Sequence, residues 1–89
     1  MIKRINALEP LEGLQLKVRF DDGKTVVYDV AEDVEAIPSY SPLITEPALF
    51  FQAQLDESRT CVYWSEEIDL PSDAIYEYGK EILSASEPR

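Results

Sequence analysis

Histidine is absent from this sequence, and cysteine, methionine and tryptophan each occur once. Without histidine the chain has no imidazole for acid–base chemistry near neutral pH and none to ligate a metal. A single cysteine, Cys61, makes neither an internal disulfide nor a thiolate cage. Three glycines leave little scope for cradling phosphate, and neither a P-loop nor a Gly-x-Gly-x-x-Gly run is present. Bases are scarce as well: 8 Lys and Arg face 18 Asp and Glu, for a formal net charge of −10. A surface of that sign repels phosphate backbones and anionic lipid, so nucleic acid and membrane are excluded as principal partners. No apolar run approaches the roughly 18 residues of a membrane span, and Met1–Asn6 lacks the apolar stretch of a signal peptide. A cytoplasmic location of bacterial style is therefore expected.

What remains is ordinary for a folded domain. The chain of 89 residues is 45% hydrophobic and 29% charged, enough for one core and too apolar for disorder throughout. Charge is uneven along it. Residues 1–24 hold five bases and four acids, whereas residues 25–89 hold three bases and fourteen acids.

The clearest local signal is Leu14–Phe20, where apolar and polar residues alternate without a break, as on a strand with one buried face. Lys24–Val30 reads as the returning strand. A three-residue loop, Asp21-Asp22-Gly23, pairs Phe20 with Lys24, Val18 with Val26, Leu16 with Tyr28 and Leu14 with Val30, which gathers the apolar side chains on one face. That loop needs a left-handed residue at its end, and Gly23 supplies it. Ile2–Leu8 reads as a weaker first strand stopped by Glu9-Pro10. Pro38, Pro42 and Pro47 forbid a regular helix across residues 31–47, and Pro47 suits the first turn of a short helix reaching about Gln52, with Thr45 or Glu46 near its cap. Leu55 and Thr60–Trp64 read as two strands around Asp56–Arg59. A last helix runs from about Ser72 to Leu83, with Ile75, Tyr78, Ile82 and Leu83 on its apolar face. The expected fold is thus α+β: one antiparallel sheet of about five strands in the order βββ-α-ββ-α, with both helices on one side. Residues 1–83 form a single domain and residues 84–89 a frayed tail.

Several constellations are candidates for chemistry, and each has a plainer reading. Glu66, Glu67, Asp69 and Asp73 fall within eight residues but lack the alternating ligands and central glycine of an EF-hand loop; a solvated loop with helix-capping charges accounts for them. Asp29, Glu32, Asp33 and Glu35 would serve as an acid pair only in a cleft that a chain this short hardly encloses. Cys61 has Arg59 as its one nearby base and reads as a packing residue. Ser39-Tyr40-Ser41 lacks a nucleophile elbow. Lys17 and Arg19 form a small basic stripe on the outer hairpin face with Gln15, Thr25, Val27 and Asp29, and Lys3 is placed nearby; charge there also discourages edge pairing. The aromatics say more. Phe50-Phe51 and Tyr63-Trp64 are consecutive, so members of each pair point in different directions, and some must reach the surface, where aromatics favour interfaces.

Taken in order, the strand ending in Pro10, Leu14–Phe20, Asp22-Gly23, Tyr28-Asp29-Val30, Glu46-Pro47-Ala48-Leu49-Phe50, Val62-Tyr63-Trp64 and Ile68-Asp69-Leu70-Pro71-Ser72-Asp73 resemble the small bacterial family called domain of unknown function 2442. The resemblance covers roughly residues 2–78. It implies a compact α+β domain, found alone or joined to a helix-turn-helix domain; no second helical segment for such a domain is present here, so DNA reading is not carried over. It also implies, for lone members, one half of a two-gene toxin–antitoxin-like pair, and it transfers no catalytic residue.

The resulting expectation is a non-enzymatic interaction or regulatory module with no cofactor and no metal. Its partner is another protein, a basic one by charge, or a second copy in a homodimer. Tyr40, Phe51, Tyr63 and Trp64 are the expected contacts, with Glu66, Glu67 and Asp69 as a charged rim. The alternative is a small cation-binding or ligand-binding domain, or an enzyme, using the acidic loop residues.

Overall fold

Leu16, Val18 and Phe20 point one way along their strand and Lys17 and Arg19 the other, and the fold is built on that division. The computed structural model describes residues 3–82. Strands β1 (Ile5–Leu11), β2 (Gln15–Phe20) and β3 (Thr25–Asp29) form an antiparallel meander. The register is the expected one, with Leu16 opposite Tyr28 and Val18 opposite Val26. The Phe20 N–H donates to the Lys24 carbonyl and the Val30 N–H to the Leu14 carbonyl, each at 2.8 Å. Gly23 closes the three-residue loop at φ +95°, a conformation that a Cβ would disfavour. β1 runs on through Pro10, which stands opposite Leu16, rather than stopping at Glu9. It is an edge strand, where a missing N–H costs no ladder bond.

The segment after β3 is broken by its prolines, as expected, but into more pieces than one short helix. Helix α1 (Ala31–Ala36) begins where the Asp29 carboxylate accepts the Ala31 N–H at 3.0 Å, with Glu32 and Asp33 in its first turn. It stops at Ile37, which Pro38 keeps out of the helical region at φ −119°, ψ 107°. Pro38 then opens a 3-10 turn to Tyr40, Pro42 opens α2 (Pro42–Thr45) and Pro47 opens α3 (Pro47–Phe50).

The single five-stranded sheet does not form. Instead β4 (Gln54–Leu55), β5 (Cys61–Ser65) and β6 (Ile68–Pro71) pair into a second, three-stranded antiparallel sheet. Ile68-Asp69-Leu70-Pro71 alternates buried and exposed, a period-2 signal four residues long that lies just ahead of the helix start. The last helix, α4 (Ser72–Tyr78), ends five residues before the expected Leu83. Gly79 turns the chain into β7 (Lys80–Glu81), which pairs with Val26 and Val27 and makes the first sheet four-stranded, in the order β1-β2-β3-β7. On α4, Ile75 is fully buried whereas Tyr78 is 74% exposed, so the expected apolar face through Tyr78 is not present. Ile2, Leu83 and the tail 84–89 lie outside the described residues.

Leu16, Val18, Phe20, Val26 and Tyr28 from the first sheet meet Val62, Trp64, Ile68 and Leu70 from the second in one core, with Ile75 of α4 and Leu43 and Phe50 of α2 and α3. The sheets are also tied at one corner. Arg59, at φ +62°, grips Asp21 through both terminal guanidinium nitrogens at 2.9 and 3.0 Å and donates to the Ile5 carbonyl at 3.1 Å.

Candidate functional site

Helices α2 and α3 are four residues each, and so short a helix buries one member of a consecutive apolar pair and leaves the other outside. Leu43 and Phe50 go into the core. Their neighbours Ile44 and Phe51 stay 55% and 53% exposed. Opposite them lies the β1–β2 turn, and together Leu11, Glu12, Gly13, Leu14, Leu43, Ile44, Phe50 and Phe51 line an open groove of about 290 Å³. Glu12 is its one charged member. The floor is firmly held: Trp64 stacks on Phe50 at 5.8 Å, and its Nε1–H donates to the Phe50 carbonyl at 2.9 Å. Phe51 stands edge-on to Phe50, also at 5.8 Å.

A second groove, of about 490 Å³, opens between the β3–α1 corner and the β6–α4 corner. Tyr28, Tyr40 and Tyr78 line it with Asp29, Glu32, Asp33 and Ile37. The Tyr28 hydroxyl donates to Asp33 at 2.6 Å, and the Tyr40 hydroxyl donates to the Asp69 carbonyl. Burial, reinforced by the Asp33 carboxylate, raises the Tyr28 phenol above the ordinary tyrosine value. Burial likewise pushes Tyr40 from 10.0 up to about 12, helped by Asp33 and Asp69. The neutral phenol is thus favoured in the folded state. Below pH 10 both states keep the proton and stability is undiminished; between pH 10 and 12 the unfolded chain sheds it first and stability falls as pH rises. We expect denaturant midpoints to drop across that window, and Tyr40→Phe to remove its share of the slope. A midpoint that stays level to pH 12 would refute the assignment.

The seven side chains expected to form one contact surface are not brought together. Tyr40 and Trp64 are core residues, because each ring is large enough to span the space beneath the short helices and each polar tip finds a carbonyl there. Phe51 belongs to the apolar groove. Tyr63, Glu66 and Asp69 gather elsewhere, on the outer side of the three-stranded sheet with Asp56, Cys61 and Ser65, and Glu67 is exposed in the β5–β6 turn. Ile44, Leu11 and Leu14 were not among the expected contacts; the pair Leu43-Ile44 carries the same signal as Phe50-Phe51.

The acids serve local structure in several places. Asp56 accepts the Thr60 and Cys61 N–H groups at 2.9 and 3.2 Å and the Ser58 hydroxyl at 2.8 Å, and the Ser58 bond first, then these backbone bonds, hold its carboxyl below the usual range. Asp73 accepts the Lys3 N–H at 3.3 Å. Burial, and then Asp69 and Asp56, raise the Cys61 thiol, which keeps it protonated and weakly nucleophilic. Among the described residues no three carboxylate or thiol side chains converge to hold a metal ion, and no helix is long and apolar enough to cross a membrane. Lys17 and Arg19 remain exposed on the outer hairpin face, but Lys3 does not join them; it lies 4.6 Å from the Tyr76 ring centroid, with Lys24 at 3.9 Å from the same ring.

The model of one family, described as "Protein of unknown function (DUF2442)", matches residues 5–81. No curated protein and no solved structure matches the chain.

Proposed function

Because the chain belongs to the DUF2442 family, whose function is unknown, we propose from its surface that it is a non-enzymatic protein-interaction module docking a partner in the groove between the β1–β2 turn and α2–α3. The observation that carries this reading is the pair Ile44 and Phe51, two large apolar side chains more than half exposed beside each other's helices on a water-facing trough. Single exposed apolar residues are common, but a nearly uncharged trough between two of them is the form an interface core takes. Two further facts support a binding rather than a catalytic role. Every buried side-chain polar atom among the described residues already has a hydrogen-bond partner, and the one thiol is held protonated.

Affinity capture with the tagged protein and with Phe51→Ser tests it. A protein retained in stoichiometric amount by the parent, and at least about tenfold weaker on a Phe51→Ser bait with an unchanged melting temperature, is the expected result. Equal capture by both baits, or none by a folded and well-expressed parent, would refute the groove.

A further inference from the structure

We infer that the occupant of this groove is a short amphipathic helix of a partner protein, with apolar anchors and flanking Lys or Arg side chains; this rests on the groove being a docking site. Three features of the surface select that chemistry. The first is the apolar trough itself, with Leu14, Ile44 and Phe51 on its walls and Phe50 beneath, which only apolar side chains fill without stranding a polar group. The second is the charge around it. Glu12 lines the groove, Glu46 stands exposed between α2 and α3, no base lies in the sequence between Lys24 and Arg59, and the chain as a whole carries −10. A second copy would bring the same carboxylates and the same net charge of −10 against these, and an anionic lipid surface would be repelled in the same way. A small neutral apolar molecule would leave that charge unanswered. A basic segment meets both demands, and the field speeds its encounter. The third is the backbone. Of the lining only Leu11, the last residue of edge strand β1, belongs to a strand; the rest comes from the β1–β2 turn, from α2 and α3 and from Phe51 just past α3. An incoming segment therefore finds no run of strand edge to pair along and must satisfy its own N–H and C=O groups, as a helix does.

A displayed library of random short peptides, selected on the parent protein and counter-screened on Phe51→Ser and on Ile44→Ser, tests the inference. Enriched sequences with apolar residues at helical spacing and an excess of Lys and Arg, bound at least about tenfold less tightly by both variants, are the expected result. Their affinity falls as salt rises, and on binding they shift the fluorescence of Trp64, the sole tryptophan, which stacks on the groove floor. Enriched peptides that depend on Phe51 and Ile44 but carry neutral or acidic flanks would overturn the choice of a basic partner and leave the docking site standing. Peptides that bind both variants as well as the parent, or no enrichment at all, would overturn the docking site and the inference together. Both substituted side chains are more than half exposed, so near-ultraviolet dichroism should confirm that the variants are folded.

Discussion

Trp64→Ala should remove most of the protein's stability. The ring is buried, lies parallel to Phe50 within 22°, and gives its N–H to the Phe50 carbonyl, so it carries the end of α3 and the inner face of β5 together. Truncating a buried tryptophan costs about 3–5 kcal/mol, through lost transfer energy and the cavity left behind. Small domains sit near the low end of an overall stability of roughly 5–15 kcal/mol, so the variant should be largely unfolded at moderate temperature. Trp64→Phe separates the two contributions. It keeps an aromatic ring against Phe50 but orphans a buried carbonyl, at about 1–3 kcal/mol. Denaturant melts followed by far-ultraviolet circular dichroism give both values, since the fluorescent reporter is lost in each variant. A shift for Trp64→Ala no larger than that of an exposed substitution would mean that the ring does not hold α3 to β5.

Gly79→Ala should be the next most damaging of the small changes, and for want of room rather than of torsional freedom. Gly79 has φ −72° and ψ 158°, ordinary extended backbone for any residue. A Cβ placed there would lie 2.6 Å from the Ile75 carbonyl oxygen and 3.0 Å from Cγ2 of Val26. The first belongs to the helix backbone and the second to a fully buried core residue of β3, so neither yields cheaply. The end of α4 must lift from the sheet, which costs about 1–3 kcal/mol as overpacking does and strains the short pairing of β7 with Val26 and Val27. Thermal melts read the global loss. Faster amide exchange at Ile82, whose N–H donates to the Thr25 carbonyl at 2.8 Å, reads the local one. Unchanged melting with unchanged exchange would refute the close approach.

The same glycine marks where the sequence stopped being legible. Ser72–Leu83 has helical spacing as far as Leu83, and nothing local in it says that residue 79 must press against Val26; that constraint exists only once the sheet is folded. The hairpin was readable because a one-residue slip would turn Leu16, Val18, Val26 and Tyr28 to water together, so pattern alone selects the register. β4, β6 and β7 are four residues or shorter, and strands of that length owe their existence to the neighbour that pairs them rather than to their own alternation. At the surface, the consecutive rings of Phe50 and Phe51 do diverge, one buried and one more than half exposed. In Tyr63-Trp64, both expected at the surface, alternation alone does not decide which ring turns inward; Trp64 lies in the core because a hydrogen-bond acceptor, the Phe50 carbonyl, meets its N–H there. The apolar groove is assembled from residues about thirty positions apart, Leu14 and Ile44 among them, so no window of sequence contains it.

The order in which such a chain is made gives the corner at Arg59 another significance. The Ile5 N–H finds its partner in the Arg59 carbonyl, the Lys3 carbonyl in the Ser72 hydroxyl at 2.5 Å, and the outer edge of β3 in Lys80 and Glu81. Synthesis runs from the first of these partners to the last. At roughly 5–20 residues per second, a nascent chain that has already closed its Leu14–Val30 hairpin waits several seconds with both flanks of the meander open. The native state is therefore sealed from Arg59, Ser72 and Lys80-Glu81 back onto residues made before them, and translation pauses after the hairpin lengthen the interval in which it is vulnerable.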